Sequence, residues 1–287
     1  MDTINNEAIV QMKLSELRPF PGHPFQLRDD DAMRDTVDSI KEYGVLVPAI
    51  VRPCEDGGYE IVSGHRRKYA SELAGLETMP VIVRNLDRDA ATIVMVDSNL
   101  QRENILPSER AAAYKMKLEA IKRQAGRPAK NNSPQLAANF RSDDAVAKTE
   151  DISGDTVRRY IRLTELEPEL QQMVDTGKMA MTPAVEISYL KPEEQKLLLD
   201  TIESEQATPS LSQAQRMKKL SQSGELNDDT MLGIMMEQKK PEKMDITIPG
   251  EVLQKYFPRS YTPQKMQETI IKLLESWQRK RQQQMQR

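Results

Sequence analysis

The sequence is poor in the residue types that build disulfides, metal centres and large aromatic cores. Its 287 residues include one cysteine and two histidines, which excludes an intrachain disulfide and a zinc site made of cysteines. Aromatic residues make up 5% of the chain, so two or three small domains are favoured over one large core. The longest apolar run, residues 44–51, is too short to cross a membrane, and no secretion signal precedes it. We expect a modular cytoplasmic protein.

An overall excess of positive charge is also lacking. The chain has 41 Lys and Arg against 44 Asp and Glu, a formal net charge of −3, so global charge does not indicate nucleic acid binding. The local balance differs, because residues 108–163 contain 12 basic and 7 acidic residues. A nucleic-acid interface is therefore expected in this stretch.

The N-terminal region alternates strand-like and helix-like patterns. Residues 31–43 carry apolar side chains at helical spacing and are followed by Gly44, which predicts a helix that ends there. Residues 45–52 and 59–62 are rich in branched side chains and flank the turn Glu55-Asp56-Gly57-Gly58, which predicts a hairpin. The remaining expected elements are an extended segment at 14–17, a helix at 66–73 and a strand at 79–84. These patterns predict a small α+β domain over residues 1–106.

Strand-like patterns nearly vanish after Ala90. Residues 107–200 read as helices interrupted by a basic, breaker-rich linker at 126–134, and we predict an all-α domain there. Residues 220–245 show no convincing apolar face, so residues 201–250 are predicted to be a flexible connector. Residues 251–287 are predicted to form a short helical association element.

A polar turn follows the strand predicted at residues 59–62. It reads Ser63-Gly64-His65-Arg66-Arg67. Glycine at a strand-to-helix turn allows close backbone approach, a helix N-terminus favours anions, and two arginines add bidentate phosphate donors. The turn suits a nucleotide, although a solvated surface is the common alternative for paired arginines at a helix start.

Three motifs in order resemble the ParB/RepB partition protein family of plasmids and mobile elements. Its Gly-Glu-Arg-Arg motif is matched by Gly64-His65-Arg66-Arg67, and its Glu-Asn-Leu-Gln-Arg motif by Ser98-Asn99-Leu100-Gln101-Arg102. Residues 44–53 are similar to the first conserved box of the family. The resemblance covers roughly residues 12–125.

The resemblance implies a domain that binds CTP with Mg²⁺, hydrolyses CTP slowly and closes a dimeric clamp around DNA. Motif by motif, it places the nucleotide at Gly64, His65, Arg66, Arg67, Asn99, Gln101 and Arg102, with Asn99 also at the metal. Two family glutamates are replaced by His65 and Ser98, so a carboxylate that would help hold Mg²⁺ is missing. We expect binding to survive this better than hydrolysis, which leaves a weak CTP hydrolase or a scaffold that has lost its ligand as alternatives.

Residues 142–163 have the spacing of a helix-turn-helix. Ser142 and Ser153 can cap its two helices, while Val157, Ile161 and Leu163 turn inward. In such a unit the first turn of the second helix meets base edges. The DNA-binding candidates are therefore the cap Ser153, the groove-facing Gly154, Asp155, Thr156, Arg158 and Arg159, and Arg162, which is expected to meet phosphate. A plain helical hairpin with a solvated arginine face is the alternative.

The C-terminal region predicts an amphipathic helix that begins at Thr262-Pro263. Met266, Ile270 and Leu274 share one face with Trp277, and this face favours self-association into a homodimer over packing back onto the core.

We expect a DNA-binding partition protein of the cytoplasm that loads at a centromere-like site and uses CTP as a clamp switch; a partner ATPase of the ParA type is implied by resemblance alone. A site-specific transcription or replication regulator that does not slide along DNA is the second hypothesis. A sulfiredoxin-like enzyme is disfavoured, because its cysteine nucleophile would have to stand where this chain has Gly64 or His65.

Overall fold

The computed structural model describes residues 8–102, 104–125, 142–237, 248, 250–253, 255–258 and 260–285. The chain divides into two compact units, residues 1–237 and residues 238–287. The basic linker predicted at residues 126–134 lies outside the described residues.

The first unit begins with a five-stranded mixed sheet. Its strands are β1 (Ile9–Lys13), β2 (Leu17–Arg18), β3 (Ala49–Pro53), β4 (Tyr59–Ser63) and β5 (Thr78–Val83), in the spatial order β1-β5-β3-β4-β2. The predicted hairpin joins β3 to β4 in antiparallel register, with Pro53 opposite Tyr59. Its turn has positive φ angles at Gly57 and Gly58, 85° and 76°. β5 lies parallel to β3, and β1 forms an antiparallel edge next to β5.

Three helices accompany the sheet: α1 (Asp31–Tyr43), α2 (His65–Leu73) and α3 (Arg88–Leu100). Asp30 caps α1 by accepting a hydrogen bond from the Met33 amide, and Gly44 ends the helix with a φ of 72°. Met33, Val37 and Ile40 are buried against Ala70 of α2, as the apolar spacing of α1 predicts. The mixed α/β character predicted for the N-terminal domain is confirmed.

A helical region follows within the same compact unit. Its helices are α4 (Pro107–Ala125), α5 (Ser142–Ala147), α6 (Gly154–Arg162), α7 (Pro168–Asp175), α8 (Met181–Ile187), α9 (Pro192–Glu205), α10 (Leu211–Ser223) and α11 (Asp228–Met236). One cluster of buried side chains connects the four helices α3, α4, α5 and α6 and includes Ala113 and Tyr114 of α4. A second cluster joins the helices from α7 to α11.

Three expectations about secondary structure are wrong. The connector predicted over residues 201–250 instead contains α10 and α11, whose Met217, Met231 and Ile234 are buried among the side chains of α7 to α9. Of the segment expected to be extended at 14–17, residues Leu14–Glu16 form a 3₁₀ turn after an unpredicted strand, β1. Residues 45–48 lie before β3 rather than within it, since the strand begins at Ala49.

The second unit contains α12 (Gly250–Leu253) and α13 (Pro263–Met285). The α13 helix begins where the sequence predicts, and Leu273, Leu274 and Trp277 are exposed on it. None of the described helices is long and apolar enough to cross a membrane.

Candidate functional site

The turn between β4 and α2 is built around Gly64. Its φ of 115° lies in the region that favours glycine. A Cβ atom at this position would lie 2.8 Å from the Cβ of Ala49 and 3.2 Å from an Nη of Arg67. Glycine is therefore required here by its backbone angle and by the close approach of β3.

His65, the first residue of α2, is buried in a contact with the loop that follows β2. Its Nε2 accepts a hydrogen bond from the Phe20 amide at 3.2 Å, and its ring centroid lies 4.0 Å from that of His23. Loss of hydration on burial, reinforced by the nearby charges of His23 and Arg102, lowers the pKa of His65 to about 3. The imidazole is therefore neutral at pH 7, and its side chain is occupied by protein contacts.

One nitrogen of the paired imidazoles, His23 Nε2, is buried without a hydrogen-bond partner. His23 Nδ1 lies 2.8 Å from the carbonyl oxygen of Phe25, so its hydrogen-bonding proton belongs on Nδ1. His23 Nε2 is then an acceptor, and it is buried with no hydrogen-bond partner. Burial also lowers the pKa of His23, so both rings favour the neutral state.

Arg66 and Arg102 form a positively charged cluster beside these rings. Arg66 Nη2 lies 3.2 Å from Asp30 Oδ1, and the Arg102 guanidinium lies 5.8 Å from the centre of the Phe25 ring. Loss of hydration lowers the pKa of Arg102, and the positive charge of Arg66 lowers this pKa further. Because the two guanidiniums repel each other, an anion placed between them would be stabilised.

Arg67 holds the segment that precedes β3. Its Nη1 donates hydrogen bonds to the carbonyl oxygens of Val47 and Pro48, both at 2.6 Å. Burial lowers the pKa of this guanidinium. Arg67 thereby connects two of the motifs that the sequence places in one site, residues 44–53 and residues 64–67.

The residues expected near the metal lie at the end of α3. Asn99 is buried, and its Nδ2 donates to the Met95 carbonyl oxygen at 2.8 Å. Gln101 follows the helix and is exposed. Among the described residues there is no group of three or more side chains suited to hold a metal ion. The described part of the chain thus provides no carboxylate set for Mg²⁺, which would have to rely on phosphate oxygens and water.

Sequence reasoning missed Glu109, which joins the loop at residues 20–28 to α4. Its Oε1 accepts from the Gln26 amide at 3.1 Å and lies 3.4 Å from Arg28 Nη2. Its Oε2 accepts from the Leu106 amide at 3.2 Å. The sequence shows only an acidic residue in the first turn of a helix, and the distant loop that it binds gives no local signal.

The second candidate site is the N-terminal end of α6. Ser153 caps the helix by accepting from the Thr156 amide at 3.1 Å, as predicted. A Cβ atom at Gly154 would collide with the Asp144 carboxylate of α5. Asp151, where a turn glycine is common, adopts a φ of 54°. A tight turn therefore brings the first turn of α5 against that of α6.

The three arginines of α6 have different surroundings. Arg158 pairs with Asp143 and with Asp155. Arg159 Nη2 donates to Thr182 Oγ1 at 3.0 Å. Arg162 donates from Nε to Ser188 Oγ at 3.1 Å and from Nη2 to the Ser188 carbonyl oxygen, and its guanidinium lies 4.0 Å from the Tyr189 ring centre. Arg159 thus contacts α8, and Arg162, expected to meet phosphate, is braced against the residues that follow α8. Arg158 and Arg159 are exposed, whereas Arg162 is half-buried.

Helix α4 connects the two candidate sites. Glu109 in its first turn binds the loop next to His65, as described above. The next residue, Arg110, and Tyr114 about one turn further on both donate to Glu150 Oε2, at 2.8 and 2.6 Å. Buried Lys117 pairs with Asp97 of α3 and donates to Thr149 Oγ1 at 2.9 Å. The turn that joins α5 to α6 is thereby fixed to the helix that also fixes the first site.

We expect the burial of neutral His65 to make the protein acid-sensitive. The pKa of His65 falls from 6.5 to about 3 on folding, so between these pH values the unfolded chain binds a proton that the folded chain does not. Stability must therefore fall as the pH falls through this range, by up to about 1.4 kcal/mol per pH unit. Urea unfolding between pH 7 and pH 4 should show a shallower loss for His65→Gln, whose side-chain oxygen can still accept from the Phe20 amide. Identical slopes for both proteins would contradict the assignment.

The comparisons with known proteins agree with the family resemblance. Residues 1–100 match the family model described as the ParB N-terminal domain. The chromosome-partitioning protein Spo0J of Thermus thermophilus is 32% identical over 188 residues, 65% of this chain and 62% of the relative. Stage 0 sporulation protein J of Bacillus subtilis is 32% identical over 178 residues, 62% of this chain and 56% of the relative. The matched part thus spans less than two thirds of the length of these relatives.

Solved structures of ParB from Caulobacter crescentus were also found. One, C-terminally truncated and complexed to the centromeric parS site, is 26% identical, with a TM-score of 0.44 over 73% of this chain and 98% of the other. Another, complexed with CTP-gamma-S, is 28% identical, with a TM-score of 0.32 over 68% of this chain and 98% of the other.

The Thermus relative and the Caulobacter ParB are named chromosome-partitioning proteins, so the plasmid or mobile-element origin expected from the sequence stays a prediction. The three motifs that carry the resemblance lie within or directly beside the matched domain, and the structure places two of them in contact through Arg67. Residues 1–100 thus match a ParB N-terminal domain, and the similarity of the chain to partitioning proteins such as Spo0J extends beyond that domain.

Proposed function

We propose that this protein is a DNA-binding partition protein that recognises a centromere-like site and uses CTP as a switch between clamp states. In this proposal α5 and α6 form a helix-turn-helix, with α6 as the recognition helix. The observation that carries the DNA assignment is the exposed face of α6, where Asp155, Arg158 and Arg159 follow a capped N-terminus. The opposite face buries Val157, so the polar face is the one left to enter a groove.

The nucleotide part of the proposal rests on the cluster of Arg66 and Arg102. Two guanidiniums that repel each other, beside a glycine turn at a helix N-terminus, suit a polyphosphate. Similarity to the ParB N-terminal domain makes CTP the ligand to test first. Slow hydrolysis, and contacts of Asn99 or Gln101 to the ligand or to Mg²⁺, remain part of the proposal.

The alternative is a site-specific transcription or replication regulator without sliding. Both functions need the same α6 surface, so the distinction lies in what happens after loading. Occupancy that spreads over flanking DNA in the presence of CTP supports the partition function. Occupancy confined to the bound site supports the regulator.

A redox enzyme of the sulfiredoxin type is disfavoured by the position of Cys54. Cys54 follows β3, and its neighbour Pro53 pairs with Tyr59 at the start of β4. Gly64 follows the other end of β4. The only thiol of the chain is therefore separated from the glycine turn by the length of a strand.

Alanine substitutions on α6 test the DNA-binding proposal. We expect Arg158→Ala and Arg159→Ala to weaken binding to the cognate site by about 1 to 3 kcal/mol each, and to weaken binding to random duplex much less, because each removes a base contact. Arg162→Ala should weaken both alike if Arg162 meets phosphate. Fluorescence anisotropy at several salt concentrations measures all three. Equal losses of affinity for both DNAs in every variant would show that the surface is a basic patch that does not read sequence.

The proposal includes a homodimer and, by resemblance, a ParA-type ATPase as partner. We expect α13 to contribute to the dimer, because Ile271, Leu273 and Leu274 expose apolar surface on a helix that would gain from a second copy. A chain that ends at Ser260 should sediment at a lower apparent mass than the full chain and bind a palindromic site less tightly. If both chains sediment as the same dimer, the dimer contacts lie elsewhere.

A further inference from the structure

Arg158, the central side chain of the proposed recognition surface, is held by two carboxylates from two different helices. Its Nη1 contacts Asp143 in the first turn of α5, and its Nη2 contacts Asp155 in the first turn of α6. The exposed fractions of the side chains are 13% for Asp143, 44% for Arg158 and 79% for Asp155. The Asp143 carboxylate is thus largely shielded from water, and the guanidinium lies between it and the surface.

These contacts occupy the atoms that DNA would need. A bidentate contact to guanine, like a contact to phosphate, uses the Nη atoms that now donate to Asp143 and Asp155. A DNA contact of Arg158 must therefore compete with its bonds to two negative charges. The carboxylate of Asp144 packs beside Gly154 at the same end of the helix pair, so phosphates that approach this end meet further negative charge.

A backbone phosphate and a guanine–cytosine pair differ in how fully they can replace the bonds between Arg158 and its two carboxylates. A phosphate can accept from Arg158, but it leaves both carboxylates facing an anion. A guanine–cytosine pair offers acceptors to Arg158 and an amino donor to a carboxylate such as Asp155. The cognate base pair can thus satisfy both members of the Asp155–Arg158 pair, whereas the backbone can satisfy only one.

We propose that Asp143 and Asp155 are specificity-determining residues that hold Arg158 as an internal ion pair and so suppress its contribution to binding non-specific DNA. The inference rests on the proposed DNA-binding function and adds a device that weakens binding to random sequence. Asp143 is the residue to change first, because it lies on α5 and not on the proposed recognition helix α6. Its substitution therefore leaves the candidate base contacts of α6 in place.

The test compares Asp143→Asn with wild type on a mixed-sequence duplex. Loss of the Asp143 charge makes Nη1 of Arg158 available for one phosphate contact while Nη2 still pairs with Asp155. We therefore expect affinity at low salt to rise by about fivefold to tenfold and the slope of log K against log salt to steepen by about 0.9. In the Arg158→Ala background the same substitution should have no such effect. An equal gain in that background would show that Asp143 only repels DNA, and would overturn the proposal, as would wild-type affinity in the single variant.

The matched control is Asp31→Asn. Asp31 stands in the first turn of α1 and pairs with Arg34 three residues later, as Asp155 does with Arg158. The control changes net charge equally at a site remote from α6 in sequence, so it should leave affinity for the duplex within about twofold of wild type. A gain equal to that of Asp143→Asn would reduce the effect to net charge and overturn the proposal.

A measurement without DNA separates this inference from the proposed function. In urea unfolding, Asp143→Asn and Arg158→Ala should shift the midpoint less in combination than the sum of their separate shifts, because each removes the same pair. Additive shifts would show that the pair is absent in solution and would overturn the inference even if DNA binding is intact. If wild type binds no duplex, the proposed function fails, and the inference fails with it.

Discussion

Replacing Gly64 with alanine is expected to lower the free energy of unfolding of the N-terminal unit by about 2 to 5 kcal/mol. Part of this loss comes from the φ of 115°, which costs a residue with a Cβ about 1 to 2 kcal/mol. The rest comes from crowding, because the new methyl group would lie 2.8 Å from the Cβ of Ala49, and overpacking in a formed core costs about 1 to 3 kcal/mol. Urea unfolding followed by circular dichroism measures the loss. The single tryptophan, Trp277, lies in the other unit and is a poor probe for it.

Gly75→Ala is the control for backbone strain alone. Gly75 has a φ of 78°, and a Cβ built there meets no atom within 4 Å. It should therefore cost about 1 kcal/mol. If both variants lose the same amount, the close approach between β3 and the Gly64 turn does not contribute, and the glycine is required only by its backbone angle.

Elements fixed by local contacts could be predicted from the sequence. Helix α1 has the predicted bounds because Asp30 caps its start, Gly44 ends it and Met33, Val37 and Ile40 form one buried face. The same applies to the start of α6, where the predicted cap Ser153 binds the Thr156 amide. In each case the signal lies within a few residues of the element.

Elements that depend on distant partners could not be predicted. Helices α10 and α11 bury mainly methionine and alanine, such as Ala214, Met217 and Met231, in stretches so polar that no apolar face stands out. Strand β1 lies at a sheet edge, where Ile9 and Val10 are exposed, so it lacks the alternation of a half-buried strand. These elements are determined by packing against residues distant in sequence, and the local sequence pattern contains no signal of that packing.

The candidate nucleotide site likewise has features that the local sequence predicts and features that depend on distant residues. The sequence singles out the glycine turn with Arg66 and Arg67, and the structure shows in addition that Arg67 bonds to Val47 and Pro48. The environment of His65 could not be predicted, because Phe20 and His23 reach it from a loop more than 40 residues away in sequence. Which side chains face a ligand and which brace the turn is decided by such contacts.

We expect Arg66→Ala to weaken CTP binding by about 10-fold to 100-fold, measured by isothermal titration calorimetry. A charge-assisted contact to phosphate contributes about 1.5 to 3 kcal/mol, and this substitution removes it. Arg66 is the cleaner position for the test, since its side chain pairs with the carboxylate of Asp30, at 3.2 Å, and braces no backbone segment as Arg67 does. Arg67→Ala should also abolish binding, but it removes the bonds to Val47 and Pro48 as well, so its loss has two causes.

Arg34→Ala is the matched control for the CTP experiment. It removes the same charge from the same domain, but the Arg34 side chain is 69% exposed and pairs with Asp31 on the surface of α1. Its CTP affinity should stay within about twofold of wild type, because exposed charges are well screened. Unchanged affinity in Arg66→Ala and Arg67→Ala would place the nucleotide elsewhere. If wild type itself binds no CTP, the turn at Gly64 and the two repelling guanidiniums of Arg66 and Arg102 serve only as scaffold.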